Sequence, residues 1–157
     1  MKKFLCIVVL ILLASAFAEA TEFHVSEGGT LVDQGGVILT VNPGYEITLV
    51  NGDEVAMTLS GVIENNTDVP IELWLDNPTI NRFQIDADVR LATGDMHVNP
   101  GNKAKCAIWF ILSDADVSTV EEIETFETGF KVYDTDNYEW LFSTDAITLK
   151  GDGDVWH

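Results

Sequence analysis

The sequence predicts an all-β fold in which two antiparallel sheets pack as a sandwich. Apolar and polar residues alternate with a period of two over most of the chain, as they do in strands with one buried face. Clusters of Asn, Asp, Pro and Gly interrupt this alternation at intervals of roughly ten residues, a spacing typical of sandwiches. Only one short stretch has helical spacing, too short to form a layer of its own.

The first half of the chain shows the alternation clearly. Residues 37–41 form one predicted strand, and Asn51-Gly52-Asp53 is a strong hairpin signal before the next. In that next strand, every second residue from Val55 to Ile63 is apolar or glycine. Asn65-Asn66-Thr67-Asp68 ends it, because Asn and Asp side chains satisfy the backbone of turns. Asn65 and Thr67 also match a glycosylation acceptor, but turn chemistry is a sufficient explanation.

The second half continues in the same way. Strands are predicted over 71–76, 83–89, 103–112 and 125–133, followed by one bent strand or two short ones over 140–149. Between them, Ser118 and Glu121 fit a capping box, and Val117, Val120 and Ile123 recur at helical spacing. We therefore expect one short helix near residues 117–123.

The first twenty residues have the organisation of an export signal. Lys2 and Lys3 precede an apolar run, Phe4–Leu13, and Ala18-Glu19-Ala20 matches the A-x-A cleavage pattern, with a second site two residues earlier. Such a run is too short to span a bilayer core, which needs about 20 residues. We predict a signal peptide over 1–20, a single domain over 21–150 and a flexible tail over 151–157. The protein is then secreted or associated with the cell surface, without membrane insertion.

Charge and cysteine content narrow the function further. The chain carries 26 acidic and 8 basic side chains, a net charge of −18, which argues against nucleic acid and anionic lipid as partners. Removal of residues 1–20 leaves Cys106 as the single cysteine, so no intrachain disulfide forms. Because Cys106 alternates with Lys103 and Lys105, we expect a buried, inert thiol and not a nucleophile or a dimer link.

A series of short motifs carries a resemblance to a known type of domain. The motifs are Ile63-Glu64-Asn65-Asn66-Thr67, Val69-Pro70-Ile71, Asn77, Asn81, Pro100-Gly101-Asn102-Lys103, Glu122-Ile123, Phe130-Lys131-Val132-Tyr133-Asp134 and Ile147-Thr148-Leu149. In order and spacing they resemble an immunoglobulin-like β-sandwich domain of secreted and surface bacterial proteins of unknown function. The resemblance implies an immunoglobulin-like sandwich of about seven to nine strands and brings no catalytic residues. Such domains usually follow Asn81 with Gly, whereas this chain has Arg82, so the turn type there stays open.

The motifs of common enzymes are absent from the sequence. There is no G-x-S-x-G, C-x-x-C, H-E-x-x-H or glycine-rich phosphate loop, and the histidines, His24, His97 and His157, are far apart in the chain. We predict a non-enzyme without a cofactor. The segment from Asp134 to Glu139 places oxygen ligands at alternate positions, as calcium prefers, but the EF-hand pattern fails. We interpret it as a hairpin loop and predict no metal site.

The aromatic side chains supply the candidate binding residues: Trp74, Trp109, Tyr133 and Trp140. Alternation places Trp74 on the outer face of its strand, Trp109 on the outer face of strand 103–112, and Tyr133 on the same face as Lys131. Outward tryptophans serve in protein interfaces, or as platforms on which sugar rings stack. Alternatively, the N-terminal segment or connecting loops cover them and make them core.

We therefore predict an exported, non-catalytic binding module with a protein or glycan partner. Protein–protein or cell-surface interaction is the first hypothesis. A carbohydrate-binding module that uses the outward tryptophans is the alternative, and a small secreted enzyme is the third.

Overall fold

The computed structural model describes residues 21–50 and 54–150. The predicted signal peptide (1–20), the Asn51-Gly52-Asp53 turn and the predicted tail (151–157) lie outside the described residues, so the domain boundaries stay predictions. The strands within the described residues are β1 Thr21–His24, β2 Gly29–Gln34, β3 Val37–Val41, β4 Glu46–Val50, β5 Glu54–Asn65, β6 Ile71–Ile80, β7 Phe83–Gln84, β8 Ala87–Leu91, β9 Lys103–Ile111, β10 Phe126–Asp134, β11 Glu139–Ser143 and β12 Ile147–Lys150.

These strands form two sheets. The first has the order β1-β12-β10-β6-β7, with β11 beside β10, and the second has the order β2-β3-β5-β9-β8, with β4 beside β5. Neighbours are antiparallel, except that β1 runs parallel to β12. With β11 and β12 taken as one broken last strand, β3, β5, β9 and β8 oppose β6, β10 and that strand. This is the ABED and CFG order of the immunoglobulin fold, so the predicted immunoglobulin-like sandwich is confirmed.

The core lies between the inner faces of the two sheets. Met57, Leu59 and Ile63 of β5 are fully buried, as alternation predicted. Across the interface, the rings of Phe110 and Phe126 approach to 4.9 Å between centroids. Full burial of a side chain of this size contributes about 1.5–3 kcal/mol, so this interface supplies the main stabilisation of a domain that has no disulfide.

The described residues form more strands than the expected seven to nine, because β1 and β2 were not predicted and one predicted strand is divided. The stretch predicted as one strand over 83–89 forms β7, which pairs with β6, and β8, which pairs with β9 in the other sheet. The chain changes sheet at Ile85 and Asp86. Ile85 is buried and Ala87 and Val89 are partly buried, so the alternation runs through the crossing without interruption. The stretch 140–149 forms two short strands, one of the two arrangements expected.

The turn after β5 is organised by the side chain of Asn65, which is fully buried. Its Nδ2 donates hydrogen bonds to the carbonyl oxygens of Val69 and Val98, both at 2.8 Å. Its Oδ1 accepts the backbone N–H of Thr67 at 2.9 Å and the Thr67 hydroxyl at 2.7 Å. The carboxamide therefore serves the turn, as its turn chemistry predicted, and ties it to Val98 of a distant loop.

The turn between β6 and β7 settles the question left open at Arg82. Asn81 and Arg82 have φ angles of 49° and 71°, so both central residues of this two-residue hairpin are left-handed, as in a type I′ turn. The Asn81 side chain holds the turn, because its Nδ2 donates to the carbonyl oxygen of Glu122 and its Oδ1 accepts the N–H of Glu124, each at 2.8 Å. Arg82 adopts the conformation that glycine adopts without strain.

The predicted short helix is present as a 3-10 turn, Val120–Glu122, and a second 3-10 turn, Leu112–Ala115, precedes it. The predicted capping box of Ser118 and Glu121 is wrong, because the 3-10 turn begins after Thr119 and the carboxylate that accepts the backbone N–H of Ser118 belongs to Glu122, at 2.8 Å. Within the described part of the chain, no helix has the length and apolar character that crossing a membrane requires.

Candidate functional site

The centre of the first sheet carries an aromatic group on its outer face. Strand β10 lies in the middle, with β6 on one side and β11 on the other. The register pairs Lys131 of β10 with Trp74 of β6, and Tyr133 of β10 with Trp140 of β11. Side chains directly opposite each other in a sheet are in contact range. Three of the four predicted binding residues, Trp74, Tyr133 and Trp140, are therefore brought together.

These three residues, the aromatic cluster, pack edge to face. The ring centroids of Trp74 and Trp140 are 6.4 Å apart with an interplanar angle of 83°, and those of Tyr133 and Trp140 are 5.0 Å apart at 60°. Trp74 is nevertheless 50% exposed and Trp140 is 56% exposed. The rings thus hold one another in place while about half of each indole faces solvent.

Charged side chains border the aromatic cluster. The indole Nε1 of Trp74 donates a hydrogen bond to Oε2 of Glu72 at 3.1 Å. Lys131 forms an ion pair with Asp76, 2.7 Å between Nζ and Oδ1, and the same Nζ lies 6.0 Å from the centroid of the Trp140 ring. These contacts fix the orientation of Trp74 and place one cation among carboxylates.

Trp109, the fourth predicted binding residue, lies apart from this cluster. It belongs to β9 of the second sheet, opposite Asp88 of β8. The guanidinium carbon of Arg90 lies 3.9 Å from the centroid of the Trp109 ring, and the Nε of Arg90 lies 4.0 Å from Oδ2 of Asp88. Trp109 is partly buried. The group that covers Trp109 is therefore Arg90 of the neighbouring strand, and not a loop or the N-terminal segment.

The hairpin that presents Trp140 depends on Asp134, which is buried at the end of β10. Its Oδ1 accepts the N–H groups of Asp136 at 2.9 Å and Asn137 at 3.1 Å, and its Oδ2 accepts Nδ2 of Asn137 at 2.7 Å. The bond from the Asn137 side chain, followed by the backbone bonds, lowers the pKa of the Asp134 carboxyl, although burial acts in the opposite direction.

The carboxylate of Asp134 is therefore engaged as a turn former, in agreement with the hairpin interpretation. Within the described residues, no group of three or more His, Cys, Asp or Glu side chains is arranged to hold a metal ion.

Cys106 and His97 differ in their exposure to solvent. Cys106 is buried on the inner face of β9, and burial raises the pKa of its thiol to about 12. Such a thiol is protonated at neutral pH and is a poor nucleophile. His97 is exposed in the loop before β9. The predicted burial of Cys106 is confirmed.

Sequence reasoning missed a cleft at the open side of the sandwich. We call it the edge cleft. It lies between β6 and β8, is lined chiefly by residues 72–78 and 84–91, and has a volume of about 870 Å³. Trp74 lies at its β6 wall, so the cleft and the aromatic cluster share one residue. No sequence signal marks the cleft, because it depends on which strands lie at the sheet edges.

Comparisons with known proteins leave the family open. No protein-family model matches the chain. No curated protein matches it. Among solved structures, it is similar to the GAE domain of yeast GGA1, at 12% identity over 78% of this chain and 98% of that one, with a TM-score of 0.36. It is also similar to the GAE domain of GGA2p from Saccharomyces cerevisiae, at 8% identity over 77% and 93%, with a TM-score of 0.35. Similarities of this size assign the chain neither a family nor a partner.

Proposed function

We propose that the chain is an exported, non-catalytic module that binds a protein partner through the outer face of β6, β10 and β11. The observation that carries the proposal is the pair of half-exposed indoles, Trp74 and Trp140, held edge to face. Tryptophan and tyrosine are enriched among the residues that dominate binding energy at interfaces. Mutual packing fixes the two rings before a partner arrives, so binding costs little side-chain entropy.

The ring geometry favours a protein partner over a glycan. A sugar stacks on a flat aromatic face, and a platform for several sugars needs rings in a common plane. The rings of Trp74 and Trp140 are nearly perpendicular, and the Tyr133 ring is also tilted against Trp140. The resulting surface is uneven, with recesses between rings, which suits the irregular apolar side chains of a protein.

Export is the part of the proposal that rests on the sequence. Cleavage after Ala20 would leave every described strand intact, because β1 begins at Thr21. Expression of the full chain in a secreting bacterial host tests this. We expect a secreted product whose mass corresponds to residues 21–157, and a cell-retained product with residues 1–20 attached would contradict the prediction.

The binding role is tested by capture from cell-surface and extracellular protein fractions with three forms of the exported protein. The wild type and Leu49→Ala, at an exposed apolar position of the second sheet outside the cleft, are expected to retain the same partner, whereas the double variant Trp74→Ala/Trp140→Ala loses it. Loss of a central interface tryptophan costs about 2 kcal/mol or more, roughly a thirtyfold weaker affinity. Equal capture by all three forms contradicts the proposal. Binding to a glycan array that Trp74→Ala abolishes would replace it with the carbohydrate alternative.

A further inference from the structure

Strand β6 is paired along only one of its sides. Toward β10, the register runs from Ile71 to Ile80 with one irregularity. On the opposite side, only the two ends are paired. At one end, Ile71 and Val98 exchange hydrogen bonds of 3.0 and 2.8 Å, and at the other end Thr79 and Ile80 pair with β7. Between these ends, no strand of the described residues pairs with β6.

The backbone groups in this gap point outward. In an antiparallel ladder, successive residues direct their N–H and C=O groups to alternate sides. Because Ile71 directs both groups toward Val98, Leu73 and Leu75 direct theirs to the same side, away from β10. Two residues with this orientation, about 7 Å apart, offer four hydrogen bonds in the spacing of a strand. Unpaired groups of this kind are a template for a further strand.

The gap opens into the edge cleft, whose opposite wall is β8. The N–H of Ala92 donates to the carbonyl oxygen of Lys105 in the second sheet. Because successive residues of a strand direct their backbone groups to alternate sides, those of Ala87 and Val89 point away from β9. The side chains of Leu75, Ala87 and Val89 are partly buried in the cleft, and Met96, 74% exposed, lies at its end. A strand added to β6 would therefore place every second side chain against apolar surface.

The charge of the cleft indicates which kind of peptide segment would bind there. Its lining includes the carboxylates of Glu72, Asp76, Asp86, Asp88, Asp95 and Asp114. Among the described residues that line it, Arg90 is the one cation, and it already faces Asp88 and the Trp109 ring. The whole chain carries a net charge of −18. An incoming segment with Lys or Arg at alternate positions complements this wall, whereas an acidic segment is repelled.

We infer that an extended basic segment of the protein partner binds as an added strand along Leu73–Leu75 of β6, with its apolar side chains in the edge cleft. This inference rests on the proposed function and names the chemistry of the partner. The added strand lies in line with Val98, beside Trp74, so a partner bound there also reaches the aromatic cluster. Backbone pairing gives affinity, and the alternate side-chain positions give specificity.

The probe for the test is a capped heptapeptide of alternating Lys and Val, titrated into the exported protein and followed by two-dimensional NMR. We expect saturable binding, with shifts and slowed hydrogen exchange at the amides of Leu73 and Leu75. Methylation of alternate peptide nitrogens keeps the charge but removes hydrogen-bond donors, and is expected to weaken binding at least about tenfold. A peptide with Glu for Lys is expected not to bind. Equal binding of the methylated peptide, or no binding of the Lys peptide, overturns the inference.

Protein variants provide a second arm. Leu75→Pro removes the outward N–H without removing a ladder bond to β10, and Leu75→Ala is its matched control, since it loses the side chain but keeps the N–H. We expect the proline variant to lose the Lys peptide and the alanine variant to retain it. If Leu75→Pro does not fold, the methylated peptide alone decides.

Charge is tested by Asp86→Asn/Asp88→Asn in the cleft against Asp33→Asn/Asp145→Asn outside it. The first pair should weaken the Lys peptide about three- to tenfold and the second pair should not. Equal effects would overturn the choice of a basic segment. Partner capture that depends on Trp74 and Trp140, but not on the Leu75 N–H, would overturn this inference and leave the proposed function standing. If neither the Trp74→Ala/Trp140→Ala variant nor the Leu75→Pro variant loses the partner, the proposed function is overturned.

Discussion

Trp74 and Trp109 both face outward from a sheet, yet they have different surroundings. Each lies on the outer face of a strand, flanked by residues that alternate in the same pattern. Trp109 is partly buried under the guanidinium of Arg90, 3.9 Å from the ring centroid. Trp74 is 50% exposed and contacts another exposed indole, that of Trp140.

The difference shows that the covering of an outward aromatic residue is decided by the neighbouring strand. On the second sheet, β8 provides an arginine whose long side chain reaches over the ring, and the pair becomes a closed structural contact. On the first sheet, β10 and β11 provide Lys131, Tyr133 and Trp140. The lysine is held by Asp76, so the indoles keep their outer surfaces free. The first sheet thus exposes its outer indoles, whereas the second sheet covers Trp109.

The largest expected difference between the two tryptophans is in stability. Trp109→Ala should lower the free energy of unfolding by about 2 kcal/mol, because it removes a partly buried ring and uncovers its neighbours. Trp74→Ala should cost less than about 1 kcal/mol, as for exposed positions. Urea unfolding of both variants measures this, and equal costs would remove the distinction between the two faces.

The hairpin that holds Trp140 should loosen in acid. Hydrogen bonds lower the pKa of Asp134 in the folded state, so its contribution to stability is complete above the ordinary aspartate pKa and is lost as the pH falls through the lowered folded pKa. Asp134→Asn should therefore be less stable than wild type at neutral pH, with a difference that disappears in strong acid.

Near-ultraviolet circular dichroism of the coupled indoles, combined with urea unfolding across pH, follows this change. Asp136→Asn, at an exposed carboxylate in the same loop, is the control and should behave like wild type. A stability difference between Asp134→Asn and wild type that is independent of pH would contradict the assignment.

Removal of Arg90 should expose the Trp109 ring to solvent, as the Trp74 ring of the first sheet is exposed. Arg90→Ala is expected to cost about 0.5–1 kcal/mol, the range of an exposed cation–π contact, and to increase quenching of Trp109 by acrylamide. Lys105→Ala, at an exposed position on the same strand as Trp109, should leave the quenching unchanged. Unchanged quenching in Arg90→Ala would show that other groups cover the ring.

The smallest effect concerns the turn next to the open edge of β6. Arg82→Gly should stabilise the protein by roughly 0.5 kcal/mol, because relief of left-handed strain exceeds the entropy that glycine adds to the unfolded chain. Thermal unfolding measures the gain. The exposure of Trp74 should not change. If Arg82→Gly lowers the stability, the interpretation that Arg82 is strained at this turn is contradicted.

The parts of the structure that depend on local pattern were predictable. Alternation identified the inner faces of β5, β6 and β9 and the burial of Cys106, because a strand has two faces whatever its neighbours are. Turn chemistry identified the roles of Asn65 and Asp134 for a similar reason, since each binds backbone groups a few residues away.

The parts that depend on strand order were not predictable. The division at Ile85 and Asp86 leaves the alternation unbroken, so the change of sheet has no local sign. The contact of Trp74 with Trp140 and the covering of Trp109 by Arg90 require the register between strands distant in the chain. The unpaired side of β6 was not predictable either, because apolar and polar residues alternate in the same way in an edge strand and in a central strand.

Acrylamide quenching of proteins that retain one tryptophan tests the central claim most directly. In each, the other three tryptophans are replaced by phenylalanine, and the Stern–Volmer constant reports the access of solvent to one indole. We expect constants for the Trp74-only and Trp140-only proteins that are severalfold larger than the constant for the Trp109-only protein. Equal constants, or a shielded Trp74, would contradict a bare aromatic surface on the first sheet.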